Sequence, residues 1–363
     1  MPASSRPKGG RPSVTIRDVA RRAGVSTATV SRALANPDRV AAATRAAVIS
    51  AIAETGFTPN ASARSLRARS TKMVLALLPG IGNSFYTPIL NAVEEVLSLA
   101  GYGMIMGDTR MDHAREAHYD LLVRGGQVDG VMLLTGRLPH PSFAELDATV
   151  PITLICNDIP GTKNLPVIEI DNHEAAQVVV RHLIDLGHCR IGHAVGPTDN
   201  VEAVSRLAGY RSAHGEAGIT VDESIVWQGA FSFDAGVRVA HQFLTHRDRP
   251  TAMFTANDEM AMGFIRTVKD AGLHVPADVS VVGFDDIEFA RYFDPALTTM
   301  HQPRAELGRL AAESILARMA GTSHGPLRTR LKCTLMVRDS AAEPAPSVPR
   351  GQKPAVGAAG ARA

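Results

Sequence analysis

Short apolar runs, each closed by Gly, Pro or Asp, alternate with helical patterns through most of this chain, and that alternation restricts the fold more than any other feature. The runs MVLALLPG, GYGMIMGD, DGVMLLTG, ITLICND, VIEIDN, RIGHAVG, AMFTAND and VSVVGFDD read as buried strands. Apolar periodicity between and after them predicts helices over Ile89–Leu99, His113–Arg124, Glu174–Leu186, Ser205–Ala217, Asp234–Thr245, Glu259–Ala271 and Ala305–Met319. Strands separated by helices imply parallel sheets with helices on both faces, an α/β architecture. At roughly 100–200 residues per domain, the length leaves room for about two such lobes beyond the N-terminal segment. Ligands of such sheets sit outside the carboxyl ends of the strands. The residues just past the strands are polar here: Asn83-Ser84, Asp108, Asn157-Asp158, Asp171-Asn172, Asn257-Asp258 and Asp285-Asp286. Several of them are expected to converge on one cleft.

The N-terminal segment is chemically a different object. Residues 1–72 hold 13 Lys and Arg against three acids, whereas the other 291 residues hold 25 basic and 33 acidic residues. A net charge of +2 therefore conceals a head of +10 on a body of −8, and a polyanion is drawn to the first and not to the second. Within the head, TIRDVARRAGVSTATVSRAL reads as helix, turn, helix. Thr15 caps the first helix with Asp18 at the capping-box position, Ile16, Val19, Ala20 and Ala23 recur at helical spacing, and Gly24 supplies the stop. Ser26 caps the second helix, whose Val30, Ala33 and Leu34 are expected inside and whose Thr27, Ala28, Ser31 and Arg32 are expected outside. Asn36-Pro37 ends it, and Thr44–Glu54 is expected to close a small core. A second helix held by such a turn enters the major groove, where Arg32 grips guanine and Thr27 and Ala28 fit a thymine methyl. Periodicity alone also admits an α-helical hairpin inside a larger fold; the concentrated positive charge favours the DNA-binding reading.

VSTATVSRALANPDRVAAATR, with TIRDVA before it and GFTPNASARSL after it, resembles the DNA-binding head of the LacI/GalR family of bacterial repressors. The blocks SRLAGYRSA, PTAMFTANDEMAMG and SVVGFDD followed by LTTMHQPRAELGRLA extend the resemblance over nearly all of residues 13–338. Segments such as RLPH, LPVIEIDN and DPALTTMHQPR most resemble the family's cytidine-responsive branch. The resemblance implies a homodimer on a pseudo-palindromic operator in double-stranded DNA, gated by a small-molecule effector, a sugar or nucleoside. It implies a helix-turn-helix head, a hinge helix, and a periplasmic-binding-protein-like body of two Rossmann-like lobes joined by three crossovers. The expected organisation is a basic tail (1–12), head (13–59), hinge (60–72), body (73–338) and C-terminal tail (339–363). Lobe one is expected to take about 73–171 and 303–330, and lobe two about 172–302 and 331–338.

Carried over by residue, the DNA contacts are Thr15, Ser26, Thr27, Ala28, Thr29, Ser31, Arg32 and Asn36 in the head. In the hinge they are Asn60, Ala63, Leu66 and Arg67, with Leu66 wedged into the minor groove, a recurrent means of kinking DNA. The effector contacts so implied are Arg206 and Asp285 on hydroxyls or a base nitrogen, Phe231 stacked on a ring, and Asn257 as a further polar group. Asn83 and Phe85 of the loop 83–86, with Asp158 or Asp171, supply the other wall. The residues themselves leave open a helix-capping role for Asp285-Asp286 and a structural acid partner for Arg206. Asn257 departs from the cytidine-responsive branch, which has serine there.

Other classes lack their chemistry. No apolar stretch reaches a membrane span and the start has no apolar signal core, so the chain reads as a cytoplasmic, nucleoid-associated protein. A transport receptor would need export and no DNA-binding head, and an α/β enzyme would need a nucleophile, metal cluster or poised acid/base pair. Gly80-Ile81-Gly82 follows a strand but lacks the third glycine of a dinucleotide fingerprint. The paired histidines are five or six residues apart, off the helical spacing of ligands, and neither a metal nor a cofactor is expected. Cys156, Cys189 and Cys333 fall on or beside apolar strands and are expected to be buried small hydrophobes in a reduced compartment.

Overall fold

The computed structural model describes residues 14–58, 70–137, 143, 149–156, 158–159, 162, 164–322 and 327–345. The chain divides between Thr71 and Lys72 into two units. In the first, α1 (Ile16–Ala23), α2 (Thr27–Ala35) and α3 (Ala42–Thr55) enclose Val19, Ala20, Val30, Ala33, Val48 and Ala51. These side chains are small, so the helices approach closely around a core that larger residues would overfill. The Thr15 amide donates to Asp18 Oδ2 at 3.0 Å, and Gly24 takes a left-handed φ of 66° at the turn. Ser26 Oγ accepts from the Thr29 amide at 3.1 Å and starts α2. Leu34 departs from the sequence expectation: it is 41% exposed. With Val30 and Ala33 already filling the inner stripe of α2, the next residue is rotated about 100° outward.

In the second unit, β1 (Met73–Leu78), β2 (Gly103–Asp108), β3 (Gly130–Leu133), β4 (Ile152–Cys156), β5 (Val167–Ile170) and β11 (Arg328–Leu331) form one sheet, ordered β11-β5-β4-β3-β1-β2 and parallel throughout. A second sheet is ordered β12-β10-β9-β8-β6-β7. It contains β6 (Ile191–Val195), β7 (Val226–Gln228), β8 (Ala252–Thr255), β9 (Ser280–Asp285) and β10 (Thr298–His301), with β12 (Thr334–Met336) antiparallel at its edge. Each sheet thus has the doubly wound order 2-1-3-4-5, whose switch points lie between β1 and β3 and between β6 and β8.

The α-helices of this unit whose ends both lie among the described residues are α4 (Thr87–Leu99), α5 (His113–Arg124), α6 (Asn172–Asp185), α7 (Val201–Glu216), α8 (Phe233–Thr245), α9 (Asp258–Asp270) and α10 (Arg304–Met319). Glycine allows one very close pairing: a Cβ on Gly236 would lie 2.1 Å from the Met260 carbonyl oxygen and one on Gly263 2.2 Å from that of Phe233. These reciprocal gaps let α8 and α9 pack nearly backbone to backbone. The chain passes between sheets at Asp171, at Gln302-Pro303 and at Lys332-Cys333. Among the thiols, Cys156 is buried and Cys333 half-buried, but Cys189 is exposed. Cys189 precedes β6 in a polar turn between His188 and Arg190, outside the apolar run. His193 is core: it stacks on Phe254 and Tyr210, and Nδ1 pairs with the Phe254 carbonyl oxygen at 2.9 Å. No helix among the described residues is long and apolar enough to cross a membrane.

Candidate functional site

Both switch points open onto one cleft of about 330 Å³. From the first sheet's strand ends come Pro79, Gly80, Gly82, Asn83, Phe85, Tyr86, Met111 and Thr135; from the second come Pro197, Asn200, Glu202, Arg206, Phe231, Asn257, Glu259 and Asp285. Of the residues singled out in the sequence, Asn83, Phe85, Arg206, Phe231, Asn257 and Asp285 therefore share this space.

Arg206 organises the second wall. It is 3% exposed, on α7, and its Nε donates to Asn172 Oδ1 at 2.9 Å and its Nη1 to the Ala256 carbonyl at 2.5 Å. Nη1 also lies 3.9 Å from Asp285 Oδ1, and the guanidinium sits 3.8 Å from the Phe284 ring centre and 5.7 Å from that of Phe231. Asp285 Oδ1 accepts from Gln302 Nε2 at 2.7 Å. Among the described residues, no hydrogen bond engages Arg206 Nη2 or Asp285 Oδ2. The wall thus offers one donor group and one acceptor group held by buried neighbours. Burial pushes the Asp285 carboxyl up to about 7, against the opposing pull of Arg206 and Arg304. Asp285 has φ 116° and Phe231 φ 52°, conformations costing on the order of 1–3 kcal/mol each and retained most often at ligand sites.

Asn257 has two structural duties beside lining the cleft. Its Oδ1 accepts from the Met260 amide at 3.0 Å, capping α9, and its Nδ2 donates to the Phe231 carbonyl at 3.3 Å. That second bond holds the strained turn carrying the aromatic ring. Asp286 is not a helix cap but an anchor for Arg338 Nη2 at 2.6 Å and His301 Nδ1 at 2.9 Å. On the first wall, Asn83 Oδ1 accepts from the Phe85 amide at 2.8 Å, and Phe85 meets Tyr86 edge-on with centroids 5.1 Å apart.

Asp158 and Asp171, expected on this wall, lie in a neighbouring recess instead. Asp158 is paired with Arg328; Asp171 accepts from Arg330 Nη1 at 2.8 Å and caps α6 through the Glu174 amide at 2.9 Å. Two arginines of β11, some 160 residues further along the chain, turn these carboxylates away from the cleft.

Sequence reasoning passed over Glu202 and Glu259. Each occupies the first turn of a helix whose capped N-terminus lines the cleft, α7 behind Asn200 and α9 behind Asn257. Glu259 is 7% exposed, accepts the Ser84 amide from the opposite wall, and is pushed by burial to about 7. The acid directly after Asn257-Asp258 was the available signal, but first-turn acids are routine complements of the helix dipole. A backbone bond from the Val201 amide to the Gly136 carbonyl (3.3 Å) and the Arg137–Asp199 pair (3.7 Å) also bridge the lobes.

In the head, Ser26, Thr27, Ala28, Arg32, Asn36 and Thr15 are exposed, and Thr29 and Ser31 half-buried. Arg32 Nε makes a long 3.4 Å bond to the Ala28 carbonyl. Asn60, Ala63, Leu66 and Arg67 lie outside the described residues. Among the described residues no cluster of His, Cys, Asp or Glu has the arrangement of a metal site.

A small helix-turn-helix unit followed by two doubly wound lobes around a cleft defines a DNA-binding regulator with a ligand-binding body. The chain belongs to the LacI family of bacterial regulatory proteins. The family's own profile, "Bacterial regulatory proteins, lacI family", matches residues 15–60, and "Periplasmic binding protein-like domain" matches residues 180–341. The HTH-type transcriptional repressor CytR of Escherichia coli (strain K12) is 37% identical over 326 residues, 90% of this chain and 96% of that protein. The repressor PurR of Photobacterium profundum is 35% identical over 327 residues, 90% and 98% of the two chains. Among solved structures, the lac repressor dimer bound to operator and the anti-inducer ONPF has a TM-score of 0.78 at 28% identity, covering 91% of this chain and all of that one. The regulator CelR in complex with cellobiose has a TM-score of 0.70 at 34% identity, with the same coverage. The chain is a DNA-binding transcriptional regulator of this family, not an enzyme.

Proposed function

We propose that the chain is a homodimeric repressor acting in the bacterial cytoplasm on nucleoid DNA, whose affinity for a pseudo-palindromic operator is set by a small sugar or nucleoside bound in the cleft. The observation that carries the ligand class is the Arg206–Asp285 pair beside Phe231. A planar fork and a carboxylate, each with a valence turned to the cleft, give directional charge-assisted bonds to hydroxyls or ring nitrogens. An aromatic ring at van der Waals distance covers the apolar face of a pyranose, furanose or base. Asn83, Phe85 and Asn257 complete the contacts. Cellobiose in a solved relative belongs to the same chemical class.

The head reads operator DNA through α2, with Arg32 as the principal base contact and Thr15, Ser26, Thr27, Ala28, Thr29, Ser31 and Asn36 around it. The hinge residues Asn60, Ala63, Leu66 and Arg67 add the minor-groove contact. Arg32→Ala is expected to cost about 1–3 kcal/mol on operator DNA and to relax preference at one base pair per half-site. Fluorescence anisotropy on operator and scrambled duplexes checks this; equal losses on both reduce Arg32 to a phosphate contact. Binding is expected to fall steeply with salt, as counterion release requires.

A ligand shifts operator affinity only through its different affinities for two lobe orientations, and the coupling is reciprocal. The test is calorimetry with the best hit of a thermal-shift screen over nucleosides, pentoses and hexoses, with and without operator. We expect an inducer, weaker by about 1–3 kcal/mol on the DNA-bound protein. Identical affinities in the two titrations overturn the gating.

A further inference from the structure

The second wall carries two strained turns, one bearing Phe231 and the other Asp285-Asp286, and the start of α9 touches both. Asn257 holds the first through the Phe231 carbonyl. The next residue holds the second. Asp258 is fully buried; its Oδ2 accepts from the Ile287 amide at 2.8 Å and its Oδ1 from Thr299 Oγ1 at 2.5 Å. The Ile287 bond falls directly after the strained pair, Asp285 with φ 116° and Asp286 with φ 53°. Residues other than glycine leave such conformations unless their surroundings over-determine them. Thr299, on β10, also accepts from the Asp286 amide at 3.4 Å, so Asp258, β10 and the turn form one connected network. β9 makes room for it: a Cβ on Gly283 would lie 2.2 Å from Asp258 Oδ1.

We propose that Asp258 is a positioning residue for the ligand cleft, holding the turn that aims the Asp285 carboxyl at Arg206 and the ligand. This rests on the ligand-cleft reading above and adds to it a residue that does not line the cleft. An acid in a first helical turn ordinarily complements the helix dipole, and it does so equally well in solvent. Asp258 instead sends both carboxyl oxygens away from its own helix, to the turn and to β10. Burying a carboxyl costs far more than burying an apolar side chain in the same place, and the return here is two fixed bonds. Burial, and next the charge of Asp285, push the Asp258 carboxyl well above the usual range, so the two acids lie within one another's field. The strained pair is thus held at both ends. Gln302 grips the Asp285 carboxyl at 2.7 Å on one side, and Asp258 fixes Ile287 on the other. Arg304, Arg338 and His301 fix Asp286 between them.

The experiment compares the full chain with D258A, D258N, T299V and the double variant D258A/G283A, by crystal structure, melting temperature and calorimetry with cytidine and with cellobiose. In D258A the turn loses both bonds, and Asp285 is expected to leave its left-handed φ. Affinity for whichever probe binds wild type is expected to fall at least tenfold. D258N offers Ile287 an acceptor and Thr299 a polar partner, and is expected to restore both the φ and most of the affinity. T299V loses one bond and is expected to fall between; its near-isosteric change keeps the test decisive where D258A does not fold. In D258A/G283A the added methyl occupies part of the space the carboxyl leaves. Melting temperature is expected to recover there and affinity is not, which separates aiming from packing. A left-handed Asp285 retained in the crystal structures of both D258A and T299V overturns the proposal, as does affinity that simply follows melting temperature across the four variants. Should neither probe bind wild type, the sugar or nucleoside reading loses ground, and the φ of Asp285 in the variants alone decides the positioning.

Discussion

The two walls of the cleft differ in kind. Among the described residues, the charged side chains of the lining come from the second lobe: Glu202 and Glu259 on first helical turns, Arg206 further along α7 and Asp285 at a strand end, the last two each held by a buried hydrogen bond. The first lobe presents Pro79, Gly80, Gly82, Asn83, Phe85, Tyr86, Met111 and Thr135, none of them charged. The difference separates two jobs that ligand binding requires. Directional recognition needs groups held rigidly and already desolvated, whereas covering the ligand needs only apolar surface that can approach it. On the function proposed above, the second wall sets which ligand binds and the first how completely binding closes the cleft.

The largest test of that division is Arg206. Arg206→Ala is expected to weaken ligand binding at least a hundredfold while operator affinity persists, giving a repressor deaf to its ligand. Arg206→Lys is expected to lose most of the affinity too, because a point charge does not reproduce the planar fork. Calorimetry alongside an operator gel shift decides; affinity within threefold of wild type in both variants would erase the asymmetry. On the opposite wall, Phe85→Leu is expected to cost about three- to tenfold, seen mainly as faster ligand release in stopped-flow measurements, since cover and not recognition is lost.

A smaller effect comes from pH. Folded Asp285 titrates near 7, above its ordinary value of 3.8, because burial favours the neutral acid. The native state then holds this proton more tightly than the unfolded state does. Its stabilisation is complete below about pH 4 and disappears as pH rises through 7. Wild type is thus expected to lose melting temperature relative to Asp285→Asn between pH 5 and pH 8. Parallel curves for the two proteins would place the Asp285 carboxyl in an ordinary environment. The smallest effect is expected for Asp158→Asn and Asp171→Asn, whose carboxylates lie in the neighbouring recess: ligand affinity should stay within about twofold of wild type. A tenfold loss in either would return that recess to the ligand site.

The architecture was largely legible because it depends on period and punctuation. Apolar runs closed by Gly, Pro or Asp mark strands whatever surrounds them, and His113–Arg124 was delimited by its pattern alone. Polar residues after strands identified the cleft edge for the same topological reason. The failures share a cause, which is that a side chain's direction depends on partners remote in sequence. Asp158 and Asp171 look like cleft residues until Arg328 and Arg330 arrive on β11. Leu34 counts as core by composition, yet Val30 and Ala33 already fill that stripe. Glu202 and Glu259 were hidden by a different ambiguity, since an acid in a first turn is explained locally before any cleft is known.

The three connections between the lobes are one or two residues long: Asp171, then Gln302-Pro303, then Lys332-Cys333. Considered mechanically, a single tether would let two bodies twist, slide and swing, whereas several short tethers side by side suppress most of those freedoms and leave chiefly an opening and closing rotation. Two of these tethers are further tied. Asp171 in the first grips Arg330, at the end of the strand feeding the third, and Gln302 in the second holds the cleft carboxylate of Asp285. On the proposed function, a ligand pulling on that carboxylate acts one hydrogen bond from the axle itself, at short leverage, so that a small displacement there becomes a larger swing at the far rim of each lobe.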